Sequence, residues 1–166
     1  MASMSPDRPT EVRVEVCPPD HPDARTTMSR YAAELAARFD TGFDPSRSHV
    51  AVDAELLPPA GLLLVARLGD EPVGCGALRF VDDDTAEVKR VWVDPRVRGQ
   101  GLARRLLVEL EAHARDRGVR TLRLETNETL REAVALYRSS GYDEVEPFND
   151  EPYAHHWFAK DLTPDA

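Results

Sequence analysis

The chain has 166 residues, 42% of them hydrophobic and 31% charged, with a net charge of −9. That length suits one domain with a real core. It contains no apolar run near the ~20 residues of a membrane span, and its N-terminal "MASMSPDRPT" lacks the basic-then-apolar order of a secretion signal. The acidic balance argues against a nucleic-acid partner, whose phosphates need a basic face. The expectation is a cytoplasmic protein with no membrane partner, a single domain over 11–162 and flexible tails at 1–10 and 163–166.

"EVRVEVC" (11–17) alternates like a half-buried strand, and "PPDHPD" (18–23) ends it. A helix is predicted over about 26–39, with Tyr31, Leu35 and Phe39 on one face. Residues 40–60 read as loop with a short helix. Strands follow at 61–68, 72–81 and 86–93, joined by tight turns, as an antiparallel meander. A helix is predicted over 100–117, with Ala103, Leu106, Leu107, Leu110 and Ala114 as its stripe. Arg105–Glu109 and Glu111–Arg115 are candidate surface pairs, and Gly118 follows its end. "VRTLRLET" (119–126) is a strand. "TLRE" has the form of a capping box, with Thr129 as cap and Glu132 reaching back, so a helix runs from there to Gly141. "YAHHWFAKDL" (153–162) closes the chain as a strand. The helical crossover between 86–93 and 119–126 makes those strands parallel, adjacent or next-nearest. The fold class is α/β: a mixed, mostly antiparallel sheet of six to seven strands flanked by helices on both faces.

Cys17 and Cys75 have neither CxxC spacing nor histidine neighbours in sequence and read as buried thiols, with no metal site expected. His155 and His156 point to opposite faces of a strand and cannot share a metal. Each is either packed or solvated, or one lines a pocket. Trp92 and Trp157 read as sheet-packing residues.

"RVRGQGLARRLL" (96–107) concentrates arginine in an acidic chain. Gly99 and Gly101 fall between a strand and a helix, where several backbone amides lack helical partners. Glycine permits positive φ and close approach of a ligand, so the corner forms an anion nest at a positive helix end. Arg96, Arg98, Arg104 and Arg105 add charge. The plain alternative is a glycine turn with solvated arginines. A P-loop is excluded because GxxxxGK[ST] is absent, and the dinucleotide fingerprint fails because its third glycine is Arg104.

Arg96-Val97-Arg98-Gly99-Gln100-Gly101 resembles the [Q/R]-x-x-G-x-[G/A] loop of the GNAT superfamily of acyl-CoA-dependent N-acetyltransferases. "VKRVWVDP" resembles that family's fourth strand, and "AVALYRSSGY" (133–142) its later tyrosine-bearing helix. The resemblance covers about 70–142. It implies acetyl-CoA as co-substrate, with the diphosphate on the backbone of Arg98, Gly99, Gln100, Gly101, Leu102, Ala103 and Arg104. Its pantetheine arm would pair with the fourth-strand edge at Val91, Trp92 and Val93, where backbone also polarises the thioester carbonyl. An ammonium of pKa ~10 must lose a proton before it attacks. The resemblance offers Glu87 as that base; otherwise Glu87 is a solvated strand residue. Tyr137 matches the family's general acid, and it also fits a core aromatic. Relatives commonly carry asparagine where this chain has Leu130, and Asn127 lies out of register.

The implied activity is acetyl transfer to a primary amine, with a small molecule as the acceptor, by direct attack in a ternary complex. The alternative is a catalytically silent CoA-binding sensor or interaction domain. A homodimer, common in such folds, is compatible with the sequence. The acceptor walls are expected from 26–60 and 146–154, which hold Asp40, Asp44, Asp53, Glu55, Glu146, Asp150 and Glu151. They would either attract an amine or simply keep loops soluble.

Overall fold

Alternate residues of "GLLLVARL" enter two different cores. In the computed structural model, which describes residues 11–47 and 53–163, this segment is β2 (Gly61–Leu68). Leu62, Leu64 and Ala66 join a cluster with Leu106, Leu107 and Leu110, whereas Leu63 and Val65 join one with Ala24, Cys75, Ala77 and Trp92. A strand's period of two divides such a run between opposite faces, and it stays apolar throughout only when both faces are covered. The covers are α1 (Pro22–Arg38) on one face, and α2 (Leu102–Asp116) and α3 (Arg131–Ser139) on the other.

The remaining strands are β1 (Val12–Val16), β3 (Glu71–Phe80), β4 (Thr85–Val93), β5 (Thr121–Thr126), β6 (Asp143–Val145) and β7 (His156–Asp161). They form one seven-stranded sheet in the order β1-β2-β3-β4-β5-β7-β6. Every pairing is antiparallel except β4–β5, which is parallel, as the crossover required. The β4–β5 pairing spans only Thr85–Glu87 against Thr121–Arg123. Beyond it, the β3–β4 register shifts and Arg90 adopts φ 56, the signature of a bulge. β5 meanwhile stays bound to β7 as far as Thr126. The sheet therefore splits between β4 and β5, leaving one side of the upper half of β4 unpaired with β5.

Several boundaries differ from the predicted ones for local reasons. α1 starts at Pro22 rather than near 26, because proline suits the first helical turn and the His21 ring accepts from the Asp23 amide at 3.0 Å. The Thr129–Glu132 capping box does not form. Asn127 Oδ1 accepts from both the Thr129 amide (2.9 Å) and hydroxyl (2.8 Å), Glu132 pairs with Arg38 at 3.0 Å, and α3 begins at Arg131 with no side-chain cap. The Arg105–Glu109 pair is present at 3.1 Å, but Glu111 turns inward to the Tyr142 hydroxyl (2.8 Å) and Lys160 (3.2 Å). β7 starts three residues later than predicted, at His156. Of the predicted tails 1–10 and 163–166, all but Thr163 lies outside the described residues.

Leu106, Leu107 and Leu110 are at most 1% exposed, each worth roughly 1.5–3 kcal/mol of burial. They fix α2, and with it the loop that precedes α2. At the start of β2, a Cβ on Gly61 would collide with the backbone carbonyl oxygens of Glu55 and Leu78. Backbone blocks it on both sides, so Gly61→Ala is expected to lower unfolding free energy by about 1–3 kcal/mol or more. Urea melts read this as a lower midpoint at unchanged slope.

Candidate active site

The corner between β4 and α2 is shaped by its own side chains. Asp94 accepts from the Arg96 amide at 2.9 Å and caps a 3-10 turn at Pro95–Val97. Gly99 and Gly101 both take φ 83, and a Cβ on either would meet open space. Close approach is thus free on the ligand side, while the left-handed backbone favours glycine. α2 starts immediately after Gly101 with no side-chain cap. A helix start exposes up to four amides, an electropositive pocket of backbone.

The four arginines divide. Arg98 donates to the Val93 carbonyl (2.8 Å) and to Glu34 (2.5 Å), and Arg104 reaches Ser139 (2.8 Å) and Ser140 (3.0 Å). These two line a cavity of about 590 Å³ beside the loop. Arg96 is held by Asp94 and Glu71, and Arg105 by Glu109 and the Val12 carbonyl, outside that lining. Of the ten residues expected to bind the donor, Val91, Trp92, Val93, Arg98, Gly99, Gly101, Leu102, Ala103 and Arg104 line this cavity, and Gln100 does not. Trp92 is buried, and its indole N–H bonds Glu34 at 2.9 Å.

A second cavity, of about 280 Å³, lies at the split between β4 and β5. The two share Tyr31, Leu35, Val91, Leu130, Ala133 and Tyr137, so they meet at a common neck. Tyr137 is 6% exposed, with its ring 5.9 Å from that of Tyr142. Burial, then the nearby charge of Glu125, pushes the Tyr137 phenol well above its ordinary pKa. It is therefore protonated at neutral pH. Leu130 gives the neck an apolar side.

Glu87 is placed elsewhere. It is buried, held by Arg79 at 2.9 Å and Arg123 at 3.0 Å, and lines neither cavity. Its carboxylate is committed to two guanidinium groups on the sheet, which is poor standing for a base that must meet an amine. Glu125, two residues beyond Arg123 on β5, does line the second cavity. Its side chain is 9% exposed. One oxygen accepts from Lys89 (3.1 Å) and Asn149 (3.3 Å); the other, Oε2, is buried and accepts no hydrogen bond among the described residues. Sequence reading missed Glu125 because "LRLET" carries no spacing that marks it; only the splitting of the sheet exposes it. Asn127 also lines this cavity and donates to the Tyr153 carbonyl at 2.7 Å.

The expected acidic wall is largely absent. Of its seven carboxylates only Glu151 lines the second cavity; Asp44 bonds Ser46, and Glu55 pairs with Arg79. Neither His155 nor His156 lines either cavity: the first accepts from the Glu128 amide, the second pairs with Glu144. Cys17 and Cys75 are buried free thiols, and burial pushes Cys75 up to about 12. No thiolate is available there for an acyl-enzyme.

The family model described as "Acetyltransferase (GNAT) family" matches residues 29–142. The chain therefore belongs to the GNAT acetyltransferase family, whose members use acetyl-CoA, and it is an N-acetyltransferase. It is 38% identical over 111 residues to an IAA acetyltransferase of Azospirillum brasilense, covering 66% of this chain and 71% of that one. It is 37% identical over 116 residues to the N-alpha-acetyltransferase RimI of Mycobacterium tuberculosis, covering 68% and 71%. A GNAT acetyltransferase from Elizabethkingia anophelis, solved with acetyl-CoA bound, shares the fold at a TM-score of 0.61 and 16% identity, over 93% of this chain and 99% of that one.

Two measurements follow from these placements. Glu87→Gln leaves Arg79 with Glu55 and takes the carboxylate from Arg123, both guanidinium groups being about a third exposed, so it is expected to cost about 1–2 kcal/mol of stability while kcat stays within a few-fold; a collapse of kcat in the folded variant would return Glu87 to the chemistry. Iodoacetamide at neutral pH is expected to leave both thiols unmodified in the native protein and to alkylate both in guanidinium, read by intact mass.

Proposed function

We propose that this enzyme moves the acetyl group of acetyl-CoA to the primary amine of a small molecule, by direct attack within a ternary complex, with Glu125 as base and Tyr137 as acid. The observation that carries the reading is the meeting of two cavities at Tyr137, with a buried, unpartnered carboxylate oxygen in the smaller one. The relatives' names span different acceptors, a protein N-terminus in one case and IAA in another. The small volume of the second cavity, about 280 Å³, favours a small molecule here.

Acetyl-CoA supplies a thioester carbonyl and a thiol leaving group. Its diphosphate suits the amides following Gly99 and the guanidinium groups of Arg98 and Arg104. The free edge of β4 at Val91–Val93 suits the pantetheine arm as an added strand. Glu125 Oε2 takes one proton from the ammonium, freeing the lone pair. The nitrogen bonds the carbonyl carbon, the carbon–sulfur bond breaks, and Tyr137 gives its proton to the departing sulfur. The second proton lost by nitrogen restores the phenol, and Glu125 returns its proton to water. The balance is one ammonium and one thioester to one amide, one thiol and one proton.

Glu125→Gln is expected to lower kcat by about 10²–10⁴, and Tyr137→Phe to lower it as well. Calorimetric affinity for acetyl-CoA should be unchanged in both. Full kcat in Glu125→Gln would remove its role as base. Acetyl-CoA binding with no thiol release from any amine would favour the sensor reading, and absence of any binding heat would overturn the assignment altogether.

A further inference from the structure

Among the described residues, the smaller cavity is lined by one buried carboxylate oxygen with no hydrogen bond and by a largely apolar body. Glu125 Oε2 is the buried oxygen without a hydrogen bond, while Oε1 is already occupied by Lys89 and Asn149. The charged residues lining the cavity balance: Glu125 and Glu151 against Lys89 and Arg90. Away from the neck the wall is aromatic. Phe39, Phe43 and Tyr153 interlock, with ring centroids 5.1 to 5.9 Å apart. The Tyr153 hydroxyl is engaged by the Asp44 amide at 2.8 Å, which fixes that ring as part of the wall. The volume, about 280 Å³, lies just below the ~300–1,000 Å³ usual for ligand pockets.

From this arrangement we infer that the acceptor is a monoamine carried on an aromatic or comparably bulky apolar group, with its ammonium on Glu125 and its body against Phe39, Phe43 and Tyr153. This rests on the reading that acetyl transfer occurs at the neck. A second ammonium on the acceptor would face Lys89, Arg90 or desolvating rings, with no unclaimed carboxylate lining the cavity among the described residues to receive it. Polyamines and amino sugars are therefore disfavoured by the same features that suit an arylalkyl amine. The transfer is the balanced one given above: the amine loses two protons and gains the acetyl group, and CoA leaves as thiol.

The test is a thiol-release assay at saturating acetyl-CoA with phenylethylamine, ethylamine, spermidine and an alanine-initiated peptide. kcat/KM for phenylethylamine should exceed that for ethylamine and for spermidine by at least about tenfold. Phe43→Ala, checked for a native thermal melt, should bring the phenylethylamine-to-ethylamine ratio close to one. Phe43→Asp should shift the ratio of putrescine to phenylethylamine upward. A preference for spermidine or the peptide, or a ratio unmoved by both variants, would overturn the inference and leave the acetyltransferase reading intact. Acetyl-CoA binding without thiol release from any amine would overturn both.

Discussion

Three residue pairs join β4 to β5, and then the ladder stops. Continued pairing would be the lower-energy course for two parallel strands, because each main-chain amide and carbonyl taken from water needs a partner. The bulge at Arg90 prevents it by turning β4 away, while β7 keeps β5 in place. The result is a strand with one side free of its neighbour in the middle of a sheet, where edges are normally absent or guarded. Both cavities open onto this split, and the loop that carries Gly99 and Gly101 is its continuation.

Charge on the face of the sheet toward α1 is arranged around the same split. Where β4 and β5 are paired, Glu87 is closed in by Arg79 and Arg123. Where they have parted, Glu125 retains Lys89 on one oxygen only. Two glutamates on neighbouring strands thus acquire opposite characters from their position along the split. The first is a buried carboxylate closed in by two part-exposed guanidinium groups. The second is a carboxylate with one oxygen bonded to Lys89 and Asn149 and the other without a hydrogen bond among the described residues. Tyr137 completes the contrast, since its phenol is kept protonated by burial and by the nearness of that carboxylate.

Six of the seven strands, the two principal helices and the glycine corner were legible because each depends on local pattern: alternation in "GLLLVARL", the stripe of α2, and glycines at a strand-to-helix junction; β6, three exposed residues long, carries no such pattern. The capping box failed because Asn127 and Arg38, one just upstream and the other in a distant helix, competed successfully for Thr129 and Glu132. Glu125 was illegible for a deeper reason. Its neighbours in sequence are those of any half-buried strand, and its character comes from where the adjacent strand leaves. The same applies to Tyr31, Leu35 and Phe39, whose spacing marked one helical face; that face closes a cavity as well as packing against the sheet. The acidic loop residues misled in the other direction, since charge counted along a segment does not say which carboxylates turn inward.

α1 is shared by the two cavities. Glu34 ties it to Arg98 and Trp92 on the donor side, while Leu35 belongs to both cavities and Phe39 to the second. One rigid rod therefore sets the distance between the two substrates' chambers, and they cannot drift apart independently. Because successive residues of a helix face different directions, substitutions at Met28 or Ala32 can reshape one chamber while the neighbouring stripe of Glu34 and Arg38 keeps its grip on the other. That geometry lets acceptor preference diversify by point changes without rebuilding the machinery that handles the common donor.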